Sequence, residues 1–259
     1  MDLMIVNAQG ESIASSKPCG HGVALVHQGE YKKGDRVRIR VDTPGCHYLQ
    51  LDECMGRHIV YLLDEAEYTI PIREAERTCY PPSAFRGDLH YLTLETVDAA
   101  LGIRNLACNP YDHAQTKGMF PHIKANVETR GEMIFAGRNA IDGIFANEGH
   151  GQYPYTSWGI NRRADAALHL DFARPVSVRK LCITLRADWP HDSWWTEATV
   201  EFDQKTARIL TLSQTARPQC FSLTSTICTS LTLKNLLKAD DGSPFPALTQ
   251  LEVWGEEIP

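Results

Sequence analysis

Ten residues of this sequence concentrate the side chains best suited to hold a ligand. Residues 186–195 read Arg-Ala-Asp-Trp-Pro-His-Asp-Ser-Trp-Trp and contain three of the chain's five tryptophans. The indoles offer broad apolar faces, and the arginine, histidine and two aspartates among them make charged hydrogen bonds. This combination predicts a surface on which stacking and polar contacts act on the same ligand.

Two predicted strands place this stretch in a loop. Residues 181–185 and 198–202 alternate between apolar and polar side chains, the pattern of a half-buried strand. Loops carry binding residues more often than core residues, and Pro190 stiffens this one. Alternatively, the tryptophans fold back and close the end of a β-sandwich. The number of indoles that face outward therefore separates a binding platform from a core plug.

A second aromatic and charged cluster, residues 148–163, precedes a strand predicted at residues 167–172 and is also interpreted as a loop. If both loops lie at the same end of one β-sandwich, they form a single walled site. Trp158 could instead pack in the core, and His150 could be a turn residue in water. The side chains that this loop would add are His150, Tyr153, Trp158 and Arg162.

Short strands separated by turn residues dominate the chain. In the clearest, residues 36–41, Val37, Ile39 and Val41 face one side and three arginines face the other. Regularly spaced short strands predict antiparallel β-sandwiches. The other strands predicted in the first half lie at residues 22–27, 48–51, 58–62, 68–72 and 89–94.

The strand pattern breaks between residues 96 and 122, which are rich in turn formers, so we place a domain boundary near residue 103. Beyond it, residues 132–141 have the spacing of a short amphipathic helix that ends at Asp142-Gly143. The predicted fold class is all-β, with two antiparallel, jelly-roll-like β-sandwich domains and one short helix in the second. The predicted domains are residues 1–103 and 104–259.

Composition argues against several classes of protein. The 259 residues are 43% hydrophobic with a formal net charge of −6, which suits a globular core and gives no basic surplus for nucleic acid. No segment approaches the roughly 20 apolar residues of a transmembrane helix, and the N-terminus lacks a secretion signal. The eight cysteines show no C-x-x-C pair or dense framework. We therefore expect unpaired thiols and a cytoplasmic location for the chain as given.

Four pieces of the second half carry a family resemblance through their order and spacing. They are Asn105-Leu-Ala, Asn139-Ala-Ile-Asp-Gly143 with Ser157-Trp158, residues 168–172 followed by Pro175 and Val178, and the closing residues 251–255. With these pieces, about residues 104–259 resemble the galactose-binding-like β-sandwiches, the discoidin or coagulation-factor type C fold of many carbohydrate-binding modules. The first half resembles a jelly roll only in its strand pattern and matches no motif.

The resemblance implies a structural calcium ion, because in that family an Asp-Gly turn usually belongs to a calcium site. Asp142 is the implied ligand, with oxygens from residues 141–147 and 156–157 completing the oxygen-rich set that a hard cation requires. The sequence departs from the family at Gln250, where a glutamate ligand is common, and the loss of one carboxylate should weaken the site. Asp142 could instead simply cap its turn.

The resemblance also implies carbohydrate binding without catalysis, through loops at one end of the sandwich. A pyranose stacks its apolar C–H face on an aromatic ring, and its hydroxyls need charged or bidentate partners. The implied platform is Trp189, Trp194 or Trp195, and the implied hydroxyl partners are Arg186, Asp188, His191 and Asp192, joined by His150, Tyr153, Trp158 and Arg162 of the second loop.

Other classes of function stay open. Asp188, Asp192 and Glu197 could supply the carboxylate pair of a glycosidase, about 5 to 9 Å apart. No nucleophile elbow, H-E-x-x-H motif or phosphate-binding loop accompanies them. A metal enzyme would need His150 and His191 to lie close together, and nothing in the sequence fixes the distance between them. The same fold can also present its loops to another protein, and a homo-oligomer is compatible with the sequence.

Overall fold

The computed structural model describes residues 1–97, 101–186 and 193–258. The chain forms two compact units, Met1–Ala100 with Tyr111–Phe120, and Leu101–Pro110 with Pro121–Pro259. Residues 111–120 return to the first unit, which a single boundary near residue 103 does not anticipate. The reason is a four-residue strand, Lys117–Phe120, that pairs with the first sheet. Such a short strand in a turn-rich stretch leaves almost no periodic signal.

Nearly all regular structure in the described residues is β-strand, as the sequence predicts. The one α-helix there, α1 (Glu74–Arg77), has a single turn, so no helix in that part of the chain is long and apolar enough to cross a membrane. The strands are β1 (Asp2–Val6), β2 (Ser12–Ser15), β3 (Lys17–Cys19), β4 (Gly22–Gln28), β5 (Arg36–Arg40), β6 (Gly45–Gln50), β7 (His58–Thr69), β8 (Leu89–Thr96), β9 (Arg104–Asn105), β10 (Lys117–Phe120), β11 (His122–Ala125), β12 (Trp158–Gly159), β13 (Leu168–Leu185), β14 (Trp195–Phe202), β15 (Thr206–Thr211), β16 (Gln219–Lys238) and β17 (Ala247–Glu257).

The first unit is one antiparallel sheet in the order β2-β1-β5-β7-β6-β8-β4-β3, with β10 beside β7. Strand β5 confirms the predicted alternation, since Val37 and Ile39 are buried. Its arginine face meets carboxylates of β7, as in the 2.8 Å pair of Arg40 with Glu65. Strand β1 is not among the predicted strands, although its Leu3 and Ile5 are fully buried beside β5.

The second unit is an antiparallel sheet in the order β12-β17-β13-β16-β14-β15, with β11 beside β13 and β9 beside β17. Side chains from β12, β13, β14, β16 and β17 pack into one buried cluster. The sheet therefore encloses a single core in the manner of a β-sandwich. The all-β fold class is confirmed.

The short helix predicted over residues 132–141 is present as two 3₁₀ helices, Met133–Phe135 and Gly137–Ile141. Between them Ala136 is extended, with φ −70° and ψ 150°, which prevents one continuous α-helix. The predicted end is confirmed, because Gly143 adopts φ 82° directly after Asp142.

The expectation that all eight cysteines are unpaired is wrong. Cys182 and Cys220 are direct neighbours across the β13–β16 pair and form a disulfide, 38 residues apart in sequence. Their partnership depends on strand register, which no cysteine spacing reveals. The expectation of a cytoplasmic location loses the support that it took from unpaired thiols. The six free cysteines are Cys19, Cys46, Cys54, Cys79, Cys108 and Cys228.

Candidate ligand-binding cleft

Strand order in the second unit brings three chain segments to one end of the sheet. Strand β17 lies between β12 and β13 and is antiparallel to both, with Gly159 opposite Ala247 and Leu185 opposite Leu248. The beginning of β17 therefore lies beside the ends of β12 and β13. The backbone N–H of Arg186 donates to the carbonyl of Ala247 at 3.0 Å, which ties two of these segments together just beyond the strands.

These segments, with the 3₁₀ turns before them, enclose a cleft of about 190 Å³. Its walls combine aromatic rings, arginines and small polar side chains, the mixture typical of a ligand pocket. The lining residues are Thr129, Arg130, Phe135, His150, Gly159, Ile160, Asn161, Arg162, Arg186, Phe245, Pro246 and Ala247.

Glycine at position 159 lets the wall of the cleft close. A Cβ atom there would lie 2.7 Å from Oγ1 of Thr129, closer than such atoms approach, and 3.2 Å from the ring of Phe135, which would have to shift slightly. The same Thr129 hydroxyl accepts a 3.0 Å hydrogen bond from the backbone N–H of Asn161. The 3₁₀ turn Thr129–Gly131 is thereby held against the end of β12.

The next turn holds Arg162 in an unusual backbone conformation. Asn161 and Arg162 have φ values of 49° and 61°, in the left-handed region. Asparagine tolerates that region, but arginine does so at a cost of about 1–3 kcal/mol, and such strain clusters at ligand-binding positions. The guanidinium of Arg162 lies over the ring of Phe245, 4.4 Å from its centroid. Ring and guanidinium form one wall, which we call the Phe245–Arg162 wall.

The charges of the cleft are mainly basic among the described residues. Arg130 is neutralised by Glu132, with N–O distances of 2.7 and 2.8 Å. Arg162 has no carboxylate partner in the described part of the chain, and Arg186 is 6% exposed. None of the described lining residues is an aspartate or a glutamate. The cleft is therefore rich in hydrogen-bond donors and suits a ligand with many oxygen acceptors.

The two loops singled out in the sequence contribute to the same cleft. His150 and Arg162 from residues 148–163 line it together with Arg186 from residues 186–195. Tyr153 is partly buried and is not among the described lining residues. Four predicted partners, Asp188, Trp189, His191 and Asp192, lie outside the described residues.

The idea that Trp158 or Trp195 presents a stacking face is wrong. Both side chains are fully buried in the core cluster, with ring centroids 6.4 Å apart. The indole N–H of Trp158 donates to the carbonyl of Val127 at 2.9 Å, which leaves it no polar group for a ligand. Trp194 is only partly buried against the same core, so its role as a platform stays a prediction.

Phe245, an aromatic residue whose ring lines the cleft, is not among the predicted site residues. Phe245 lies between two prolines in a turn-rich stretch directly before β17, and it is 37% exposed. An aromatic side chain in such a segment is exposed for the same reason as an indole in a loop. The exposure of Phe245 could therefore be predicted from the sequence. The contributions of Thr129 and Asn161 could not, because they depend on how the turns pack.

The described residues offer no carboxylate pair in the cleft for a glycosidase mechanism. Glu197, the one predicted acid within them, is exposed on β14 and does not line the cleft. Asp188 and Asp192 lie outside the described residues.

Asp142 lies below the surface rather than along the cleft. Its Oδ1 accepts a 2.8 Å hydrogen bond from the backbone N–H of Ile144, so it caps its own turn. The side-chain amide of Gln250 donates to the same oxygen at 2.7 Å. Burial raises the pKa of Asp142 to about 6, against the opposing effects of Arg138, Ile144 and Gln250.

No family model matches the sequence, and no curated protein matches it. Several solved structures are similar to the chain. The family 32 CBM from C. perfringens NanJ in complex with galactose is 16% identical, with 51% of this chain and 91% of that chain covered and a TM-score of 0.39. The lectin domain of lectinolysin complexed with Lewis B antigen is 14% identical, with 60% and 98% covered and a TM-score of 0.43. A Streptococcus pneumoniae fucose binding module is 13% identical, with 60% and 99% covered and a TM-score of 0.41.

Proposed function

We propose that the second unit binds carbohydrate, without catalysis, in the cleft between the ends of β12 and β13 and the beginning of β17. The observation that carries this proposal is the Phe245–Arg162 wall, which combines an aromatic ring with a charged donor at the edge of a cleft. Sugars need both kinds of contact, since they have an apolar C–H face and a rim of hydroxyls.

The roles follow from side-chain chemistry. The exposed part of Phe245 stacks on the apolar face of the sugar, and Arg162 donates to hydroxyls at its edge. Arg186 and His150 supply further polar contacts from neighbouring loops. Asp188, Trp189, His191 and Asp192 follow Arg186 in the chain, and we retain them as proposed partners on the strength of their sequence alone.

Binding is preferred over hydrolysis because of the character of the described lining. Cleavage of a glycosidic bond needs an acid and a second carboxylate across the bond. The described part of the cleft supplies arginine, histidine, asparagine and threonine instead. Glycosidases use a carboxylic acid of raised pKa to protonate the leaving group, and the described lining contains no carboxyl group.

A glycan array followed by calorimetric titration of the best saccharide tests the proposal. Arg162→Ala should weaken binding about 10-fold, as expected for one charged hydrogen bond of about 1.5 kcal/mol. Arg163→Ala is the matched control, because Arg163 is exposed in the same turn but pairs with Asp165. Equal effects of both substitutions, or no saccharide bound at millimolar concentration, would contradict the proposal. Turnover of chromogenic glycosides would replace it with an enzyme.

A further inference from the structure

The side-chain amide of Gln250 lies between two oxygens, the carbonyl of Asn139 and a carboxylate oxygen of Asp142, and one donor, the backbone N–H of Gly143. Its Oε1 accepts a 3.1 Å hydrogen bond from the backbone N–H of Gly143. Its Nε2 donates to the carbonyl of Asn139 and to Oδ1 of Asp142, each at 2.7 Å. Turning the amide over would set two N–H donors against each other and an oxygen against two acceptors. The orientation of Gln250 is therefore fixed by its three partners.

A cationic group, the guanidinium of Arg138, faces the other oxygen of Asp142. The guanidinium of Arg138 lies 3.9 Å from Oδ2 of Asp142, and both side chains are about 3% exposed. Arg138 is held there by hydrogen bonds to the carbonyl of Pro110 at 2.5 Å and to Oδ1 of Asn139 at 3.2 Å. A divalent cation on Asp142 would lie close to this buried positive charge, which repels it strongly where the surroundings are apolar.

The remaining oxygens do not complete a calcium site. Oδ2 of Asp142 and the hydroxyls of Thr156 and Ser157 are buried without a hydrogen-bond partner among the described residues. Calcium takes six to eight oxygen ligands, drawn from carboxylates, carbonyls and waters. In the described part of the chain, no group of three or more histidine, cysteine or acidic side chains could hold a metal ion. The residues around Asp142 thus do not fit the calcium ion that the family resemblance implies.

We propose that this unit dispenses with a structural cation, and that the side-chain amide of Gln250 holds the Asp142 turn in its place. The two N–H groups of the amide satisfy the carbonyl of Asn139 and the carboxylate of Asp142. The arrangement fixes Asp142-Gly143 at the beginning of the loop that carries His150. The fold and the geometry of that loop are independent of calcium.

Thermal unfolding of the full chain tests the proposal directly. The melting temperature should be the same in millimolar calcium and in EDTA, and elemental analysis of the purified protein should find no stoichiometric calcium. A melting temperature that falls in EDTA and returns with calcium would overturn the proposal. This result is independent of sugar binding, so the two proposals fail separately.

Gln250→Glu sharpens the test, because it replaces the donor by a third oxygen beside Asn139 and Asp142. The variant should melt at a lower temperature than the parent in EDTA. Calcium should not restore that temperature, because Arg138 still faces Asp142 in this variant. Gln50→Glu adds the same charge in the first unit and should melt alike in calcium and in EDTA. A Gln250→Glu protein that melts like the parent would overturn the role of the amide, and one that calcium restores would overturn the conclusion that these residues do not fit calcium.

Discussion

Replacing Phe245 by alanine should abolish most of the carbohydrate affinity of the cleft. Phe245 is 37% exposed, so of the roughly 200 Å² of an aromatic side chain about 75 Å² is open to a ligand. Covering that area is worth about 2 kcal/mol at 25 cal/mol per Å². The dissociation constant of the best saccharide should therefore rise about 30-fold.

The same substitution also removes buried surface, so it needs a control that is equally destabilising. The buried part of Phe245, about 125 Å², corresponds to an upper limit of about 3 kcal/mol of folding free energy. Phe145 is 43% exposed and lies outside the described cleft lining, so Phe145→Ala should cost about the same. For a unit of this size, both variants should melt about 6–12 °C below the parent.

Calorimetric titration well below these melting temperatures measures the affinity of each variant. Phe145→Ala should bind like the parent, and Phe245→Tyr should retain most of the affinity because it keeps the ring. If Phe245→Ala binds within about threefold of the parent, the exposed ring is not a stacking surface. If both alanine variants lose affinity equally, the loss reflects stability instead of contact.

The remaining predictions concern stability. The bond between Cys182 and Cys220 closes a loop of 38 residues and should raise the free energy of unfolding by about 4 kcal/mol, because it lowers the entropy of the unfolded chain. Thiol titration of the denatured protein should find six thiols before reduction and eight after it. Eight thiols before reduction would contradict the disulfide. Burial raises the pKa of Asp203, but hydrogen bonds from residues 229–230 outweigh it, so the folded pKa lies below the ordinary value of an aspartate. Because the unfolded state then binds more protons, the stability from Asp203 is present above about pH 4 and is lost as the pH falls through the folded pKa. Urea titrations at several pH values should show that Asp203→Asn loses less stability on acidification than the parent. An unchanged acid dependence would refute the assignment. Trp195→Ala should cost about 3–5 kcal/mol in urea unfolding, as for a buried aromatic side chain, whereas a loss below about 0.5 kcal/mol would indicate an exposed ring.

Local pattern was enough to predict many of the strands and several turns. Strand β5 alternates because one face packs in a core and the other meets carboxylates, and that period of two is written in the residues themselves. The turn at Asp142-Gly143 was also predictable, since glycine reaches the left-handed backbone that ends the 3₁₀ helix. These features depend on neighbours a few positions away.

The cleft depended on contacts that no local pattern contains. Phe245 meets Arg162 because β17 pairs with β12 and runs beside β13, segments separated by tens of residues. The disulfide and the hydrogen bonds of Gln250 likewise follow from register between distant strands. Only the assembled sheet brings such groups together.

Whether Trp195, at the end of the 186–195 loop, is buried or exposed could not be predicted from sequence alone. Counting back by twos from the buried Ala198, Val200 and Phe202 would turn Thr196 inward and Trp195 outward. A register shift at the beginning of β14 reverses this, so that Trp195 is buried and Thr196 is partly exposed. The sequence determined that an aromatic loop joins two strands, and the irregular pairing of β14 with β16 decided that one of its indoles belongs to the core.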